Sequence, residues 1–296
     1  MSGVLLREVD FESRDESSWR FRLFGPLQVT HAGRLLELGP PKQRALLAML
    51  LLRRGLETGI DQLIDALWGE EYPAYAKNLI QKSVSNLRGL FAAEATADEG
   101  ISLEWSAGGY LLHTGDAYVD LYTYERLASA GARAAREGEI LKAAELLERA
   151  RVMSTGPLVE GLEGPMLQRE RLYRQERFLS DMEVRAELEL ELGRHRNAVP
   201  YLHYAVHKYP LRERFVWLLM LALYRSDRGN EALKLYADHR ARTVEEMGAE
   251  PGPSLRALHA RLLSQDPELM VLPVVQPKTL PHVRTTRLTH LPESLT

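Results

Sequence analysis

The chain has 296 residues, 45% of them hydrophobic, 27% charged and 7% aromatic, which is ordinary globular composition with room for one large or two modest domains. It contains no cysteine, so disulfides, thiolate-held zinc, iron–sulfur clusters and thiol nucleophiles are excluded. Thirty-eight bases against 41 acids leave a net charge of −3, so attraction to nucleic acid has to come from a local patch.

In chain order, residues 1–19 carry five acids, Glu8, Asp10, Glu12, Asp15 and Glu16, without a sustained period, and read as a flexible leader. No run approaches the length of a membrane span, and acids stand too early for a signal peptide, so a cytoplasmic protein without a membrane partner is expected. From Arg20, the runs FRLFG, LQVT and RLLEL, broken by Gly25-Pro26 and His31-Ala32-Gly33, predict a three-stranded meander. Pro40-Pro41 opens a helix that Gly55 ends, because a first-turn proline forfeits no hydrogen bond. IDQLIDALW forms a second helix closing at Gly69, a third spans Ala74 to Ala92, and ISLEWSAGGYLLH reads as a hairpin turning near Gly108-Gly109.

From Asp120 to Gln265 strand signals vanish and helical periods are punctuated by glycine. Ala186, Ala198, Leu202, Ala205 and Pro210 carry tetratricopeptide spacing; Gly131, Ala143, Leu147 and Ala150 precede them, and Ala232 and Tyr236 follow. Ala198 and Ala232 are 34 residues apart, the tetratricopeptide period, whereas Ala143 and Ala198 are 55 apart. About 21 residues are therefore inserted, either around STGPLVEGLEGP or in the long helix after it. Small residues let paired helices approach and large ones fill the groove, so this half reads as a protein-contact scaffold. Residues 269–296 are proline-containing and lack an amphipathic period, and are expected to be a disordered tail.

On a helical wheel the third helix turns Ala76, Leu79, Ile80, Ser83, Val84, Leu87, Leu90 and Phe91 toward a core. The other half holds Lys77, Asn78, Gln81, Lys82, Ser85 and Arg88, and no acid occurs from Tyr72 to Ala93. Lysine and arginine neutralise phosphates, while asparagine, glutamine and arginine pair with adenine or guanine edges in a major groove. The same residues also suit a plain solvated face. The preceding helix, the bend at Gly69 and the following hairpin give the order of a winged helix-turn-helix of the response-regulator type. Trp105 in the hairpin either touches sugar or phosphate or packs on the hairpin base.

The blocks GPPKQRALLAMLLL, IDQLIDALWGE, VSNLR, GGYLL, VDLYTYERL, PLRERFVWLLMLALYRS and EEMGAEPGPSLRALH, in this order, resemble the Streptomyces antibiotic regulatory protein family over about residues 20–268. The resemblance implies a mostly α protein. A winged-helix DNA-binding domain at 20–113 precedes an all-α, tetratricopeptide-like bacterial transcriptional activation domain at 118–268. It implies an activator of a secondary-metabolite gene cluster that binds direct repeats in double-stranded DNA, associates head to tail there, and recruits RNA polymerase holoenzyme through its principal sigma subunit. Bound to DNA, it would sit at the nucleoid. By position, the exposed set from Lys77 to Arg88 falls on the family's recognition face, and Lys42 and Arg44 fall in its Pro-Lys-Gln-Arg block near the DNA backbone. Asn86 and Gly89 fill helix positions where the family usually has further arginines, and Glu104-Trp105 enters the wing, so weaker intrinsic DNA affinity, or more reliance on cooperative neighbours, is expected.

His203 and His207 share a helix face but lack the further ligands of a metal site, so neither metal nor cofactor is expected. No phosphate-binding loop or nucleophile elbow is present in the sequence, and no enzymatic activity is expected. Two competing readings are a tetratricopeptide adaptor whose winged helix is vestigial, and a sensor holding a small molecule on the concave face of the repeats.

Overall fold

The structure, a computed structural model, describes residues 19–94, 100–271 and 273–274. The described residues form two units: those up to residue 126 with 150–178, and 127–149 with those from 179 onward. The fold is mostly α, a winged helix-turn-helix followed by an all-α domain of tetratricopeptide type.

In the first unit the expected meander is β1 (Arg20–Arg22), β2 (Gln28–His31) and β3 (Arg34–Leu35), antiparallel, with Phe21 opposite Val29 and both buried. A fourth strand, β7 (Tyr118–Val119), adds in parallel to β1. At two residues it is too short to show a period in sequence. The leader's last residue is ordered, contrary to expectation. Trp19 is buried, stacks on His31 at 4.6 Å and meets the edge of Phe91 at 5.6 Å between ring centroids. The remainder of the leader, residues 1–18, lies outside the described residues.

Helix α1 (Pro41–Arg53) starts at its proline and ends with Arg54 and Gly55 in left-handed conformations. A short β4 (Thr58–Gly59) leads into α2 (Ile60–Trp68), which closes at Gly69 with a φ of 73°. Residues 69–75 separate α2 from α3 (Ala76–Glu94), a longer link than a tight bend, so α3 begins two residues later than predicted. The wing is β5 (Ile101–Ser106) and β6 (Gly109–Thr114), with Ala107 and Gly108 both at positive φ in the two-residue turn. β4 pairs with β6, and a Cβ on Gly109 would stand 2.8 Å from the Thr58 backbone, so only glycine permits this approach.

Helix α4 (Asp120–Arg136) starts on a carboxylate that accepts from the N–H groups of Leu23 at 2.9 Å, Phe24 at 3.0 Å and Leu121 at 2.6 Å. Burial pushes the Asp120 carboxyl up from its ordinary range, against the pull of those three donors. Two residues on, Tyr122 donates to the Leu51 carbonyl at 2.5 Å, near the end of α1, and burial raises its phenol to about 12.

After α5 (Ile140–Met153), the insertion proves to occupy both places the spacing allowed: the loop 154–164 and the first half of α6 (Pro165–Glu191). The loop is built onto the β1–β2 turn. Gly25 N–H donates to Pro157 at 2.8 Å, Val159 N–H to Leu23 at 2.7 Å and Glu160 N–H to Gly25 at 2.8 Å. Arg171 of α6 closes the loop by donating to the carbonyls of Leu158 at 2.8 Å, Val159 at 2.7 Å and Leu162. Gly164 lies so near the Ala66 carbonyl that a Cβ would come within 2.8 Å of it.

In the second unit α7 (His195–Lys208) packs on α8 (Glu213–Tyr224), α8 on α9 (Gly229–Met247), and α10 (Pro253–Leu263) against both α8 and α9. The repeat residues are buried along the helices of this unit. Ala143, Leu147, Ala186, Ala198, Leu202, Ala205, Ala232 and Tyr236 are all buried, and a Cβ on Gly131 would collide with Leu147 at 2.9 Å. The expected disordered tail needs correction at its start. A 3₁₀ turn at Pro267–Met270 buries Leu269, whose carbonyl accepts from Arg225 at 2.8 Å, and buried Val274 donates its N–H to Glu191 at 3.0 Å. Residues 275–296 lie outside the described residues.

Candidate nucleic-acid interface

Helix α3 has no acid before Glu94 and buries Ala76, Ile80, Ser83, Val84, Leu87 and Phe91 against the unit's core. Leu79 and Leu90, expected in that core, are only half-buried. Two exposed rows run along the other side: Asn78, Lys82 and Ser85 in one, and Lys77, Gln81 and Arg88 in the next. The helix therefore offers two ammonium groups, two side-chain amides and a hydroxyl to solvent without a neutralising carboxylate on the same face. This donor set matches phosphate oxygens and base edges.

Arg88 behaves differently from its neighbours. Its Nε donates to the Leu103 carbonyl of the wing at 2.6 Å, and its guanidinium lies 6.0 Å from the Tyr110 ring centroid, so it ties α3 to β5 and β6. Asn86 is exposed at its edge but donates to Gln43 of α1 at 3.0 Å, and Gln43 in turn donates to the Leu38 carbonyl at 3.0 Å. That chain fixes α3 against α1, a role no local sequence signal announced.

Lys42 and Arg44, the residues assigned from the Pro-Lys-Gln-Arg block, are both half-buried. Lys42 Nζ donates to the Leu67 carbonyl at 2.6 Å and lies 5.0 Å from the Trp68 ring centroid, so it caps the C-terminal end of α2 with a positive charge. Arg44 is half-buried, and its Nε has no hydrogen-bond partner among the described residues. We expect Lys42→Met to lower stability by about 1–2 kcal/mol through loss of this charged cap. DNA salt dependence should stay unchanged, as urea melts and binding titrations on the same protein would record; a flattened salt slope would instead make Lys42 a phosphate ligand.

On the wing, Trp105 and Tyr110 make a T-shaped contact at 4.9 Å between centroids while Trp105 stays 51% exposed, so it packs on the hairpin and remains accessible to solvent. Glu104 accepts from Ser102 at 2.7 Å and faces His113 at 3.9 Å. His203 and His207 are exposed on α7, and no three metal-ligating side chains converge among the described residues.

A model of the bacterial transcriptional activator domain matches residues 119–263. Regulatory protein DnrI of Streptomyces peucetius is 32% identical over 84% of this chain and 93% of its own length. The chain belongs to the Streptomyces antibiotic regulatory protein family. Regulatory protein AfsR of Streptomyces coelicolor is 38% identical over 90% of this chain, which spans only 26% of that longer relative. Among solved structures, Mycobacterium tuberculosis EmbR in complex with a low affinity phosphopeptide superposes with a TM-score of 0.77 at 34% identity, over 84% of this chain and 65% of that one. Within the family frame α2 and α3 are the helix-turn-helix, β5–β6 is the wing, and α4 to α10 carry the activator domain.

Proposed function

We propose that the protein is a sequence-specific DNA-binding transcriptional activator of a secondary-metabolite gene cluster. The observation that carries this reading is the exposed, acid-free face of α3 with Lys77, Asn78, Gln81, Lys82 and Ser85, mounted between a preceding helix and a wing. Relatives that include DnrI and AfsR are named as regulatory proteins, which supports it. On this reading the protein works in the cytoplasm, at the nucleoid, as a regulator and not as an enzyme. Among the described residues no helix is long and apolar enough to cross a membrane, which agrees with that location.

The finer steps extend the same reading. Two copies bind direct repeats head to tail, and the α-helical repeats contact RNA polymerase holoenzyme at its principal sigma subunit. The test is selection of sheared genomic DNA from the host with the full-length protein at low and moderate salt. Enrichment of direct repeats upstream of a gene cluster is the expected result, with a slower-migrating complex when holoenzyme is added. A folded protein that enriches nothing at either salt would overturn the reading in favour of a protein-binding adaptor.

A further inference from the structure

A third kind of group stands at the head of the exposed row on α3. The Tyr75 carbonyl accepts the N–H of Leu79 at 3.0 Å, so Tyr75 caps the start of the helix, three residues before exposed Asn78. That side chain is 63% exposed, unusual for a ring whose apolar body is stabilised by burial. A tyrosine so placed presents a neutral hydroxyl donor two residues before Lys77 and seven before Lys82, at the N-terminal end of a recognition helix, the end that approaches the duplex.

We propose that Tyr75 donates its hydroxyl to a phosphate oxygen of the bound duplex and positions the N-terminal end of α3 on the DNA. The inference rests on the DNA-binding reading above and assigns it a further contact. Exposed Tyr72, three residues earlier, follows Glu70 and Glu71, whose exposed carboxylates repel phosphate. It stands directly beside those acids and farther from α3, and serves as the internal control.

The physics separates a hydroxyl donor from an ammonium. A neutral donor displaces no counterion, so losing it lowers affinity equally on all sequences and leaves the salt slope unchanged, whereas losing a lysine flattens the slope. The experiment titrates the full-length protein with a duplex carrying the selected direct repeat and with a scrambled duplex of equal length, each over a range of salt. Tyr75→Phe, which keeps the ring and the helix start, is expected to weaken binding to both duplexes by about 3- to 10-fold with the wild-type slope. Tyr72→Phe should bind within about twofold of wild type. Equal affinity of Tyr75→Phe and wild type would overturn the inference while leaving the DNA-binding reading intact. A loss confined to the repeat duplex would also overturn it, by making Tyr75 a base contact. Failure of the wild-type protein to bind either duplex would instead defeat the parent reading.

Discussion

Replacing Lys77 and Lys82 together with alanine is expected to lower DNA affinity about 30-fold near physiological salt and to flatten the log–log salt dependence by about two units. Both side chains are exposed on α3, and neither has an ion-pair partner among the described residues, so no intramolecular bond has to break before they meet phosphate. Each lysine that neutralises a phosphate releases about one counterion, and at 0.15 M salt that release contributes roughly a fivefold factor in affinity. Alanine is a better helix former than lysine and the sites are solvent-facing, so the helix itself should not weaken. Filter-binding titrations at four or more salt concentrations would measure both quantities. An unchanged slope would show that these ammonium groups do not reach the duplex and would remove α3 as the reading element.

Arg171→Met is expected to destabilise the first unit by about 3 kcal/mol, equivalent to a fall of about 6–12 °C in melting temperature. The guanidinium holds together the carbonyls of Leu158, Val159 and Leu162, of which Val159 also accepts the Leu162 N–H at 3.2 Å. Those residues are buried beside the β1–β2 turn, so loss of the donor leaves desolvated carbonyls and not hydrated ones. Methionine preserves most of the aliphatic stem, which confines the effect to the lost charged hydrogen bonds. Urea denaturation followed by far-ultraviolet circular dichroism, together with limited proteolysis at residues 156–163, would check it. The exposed neighbour Arg169 replaced by alanine supplies the neutral control. A loss below about 1 kcal/mol would mean that water replaces the guanidinium at no great cost, and the loop would then be held by its backbone bonds to Leu23 and Gly25 alone.

The helices were legible because their signals are local. Pro41 at the start of α1, Gly69 at the end of α2 and the alanines at tetratricopeptide spacing each act within one or two turns of their own position. The basic row of α3 was legible for the same reason, since a period of 3.6 residues decides which side chains share a face. Strands β4 and β7 were not, because two residues carry no period and their pairing is set by β6 and β1. Nor was the ordered start of the tail, which depends on a carbonyl of Leu269 reaching Arg225, 44 residues away in sequence.

The same division runs through the candidate interface. From sequence alone, α3 was determined to be a helix with one apolar side and one side of lysines and amides, because hydrophobic period and charge pattern are properties of neighbouring residues. Only the tertiary structure decided which donors also hold the fold. Lys42 donates to the Leu67 carbonyl 25 residues away, Arg88 through its Nε to the Leu103 carbonyl 15 residues away, and Asn86 to Gln43 across 43 residues. A buried or half-buried carbonyl attracts the nearest donor whatever its distance along the chain, and that competition is invisible until the chain has folded.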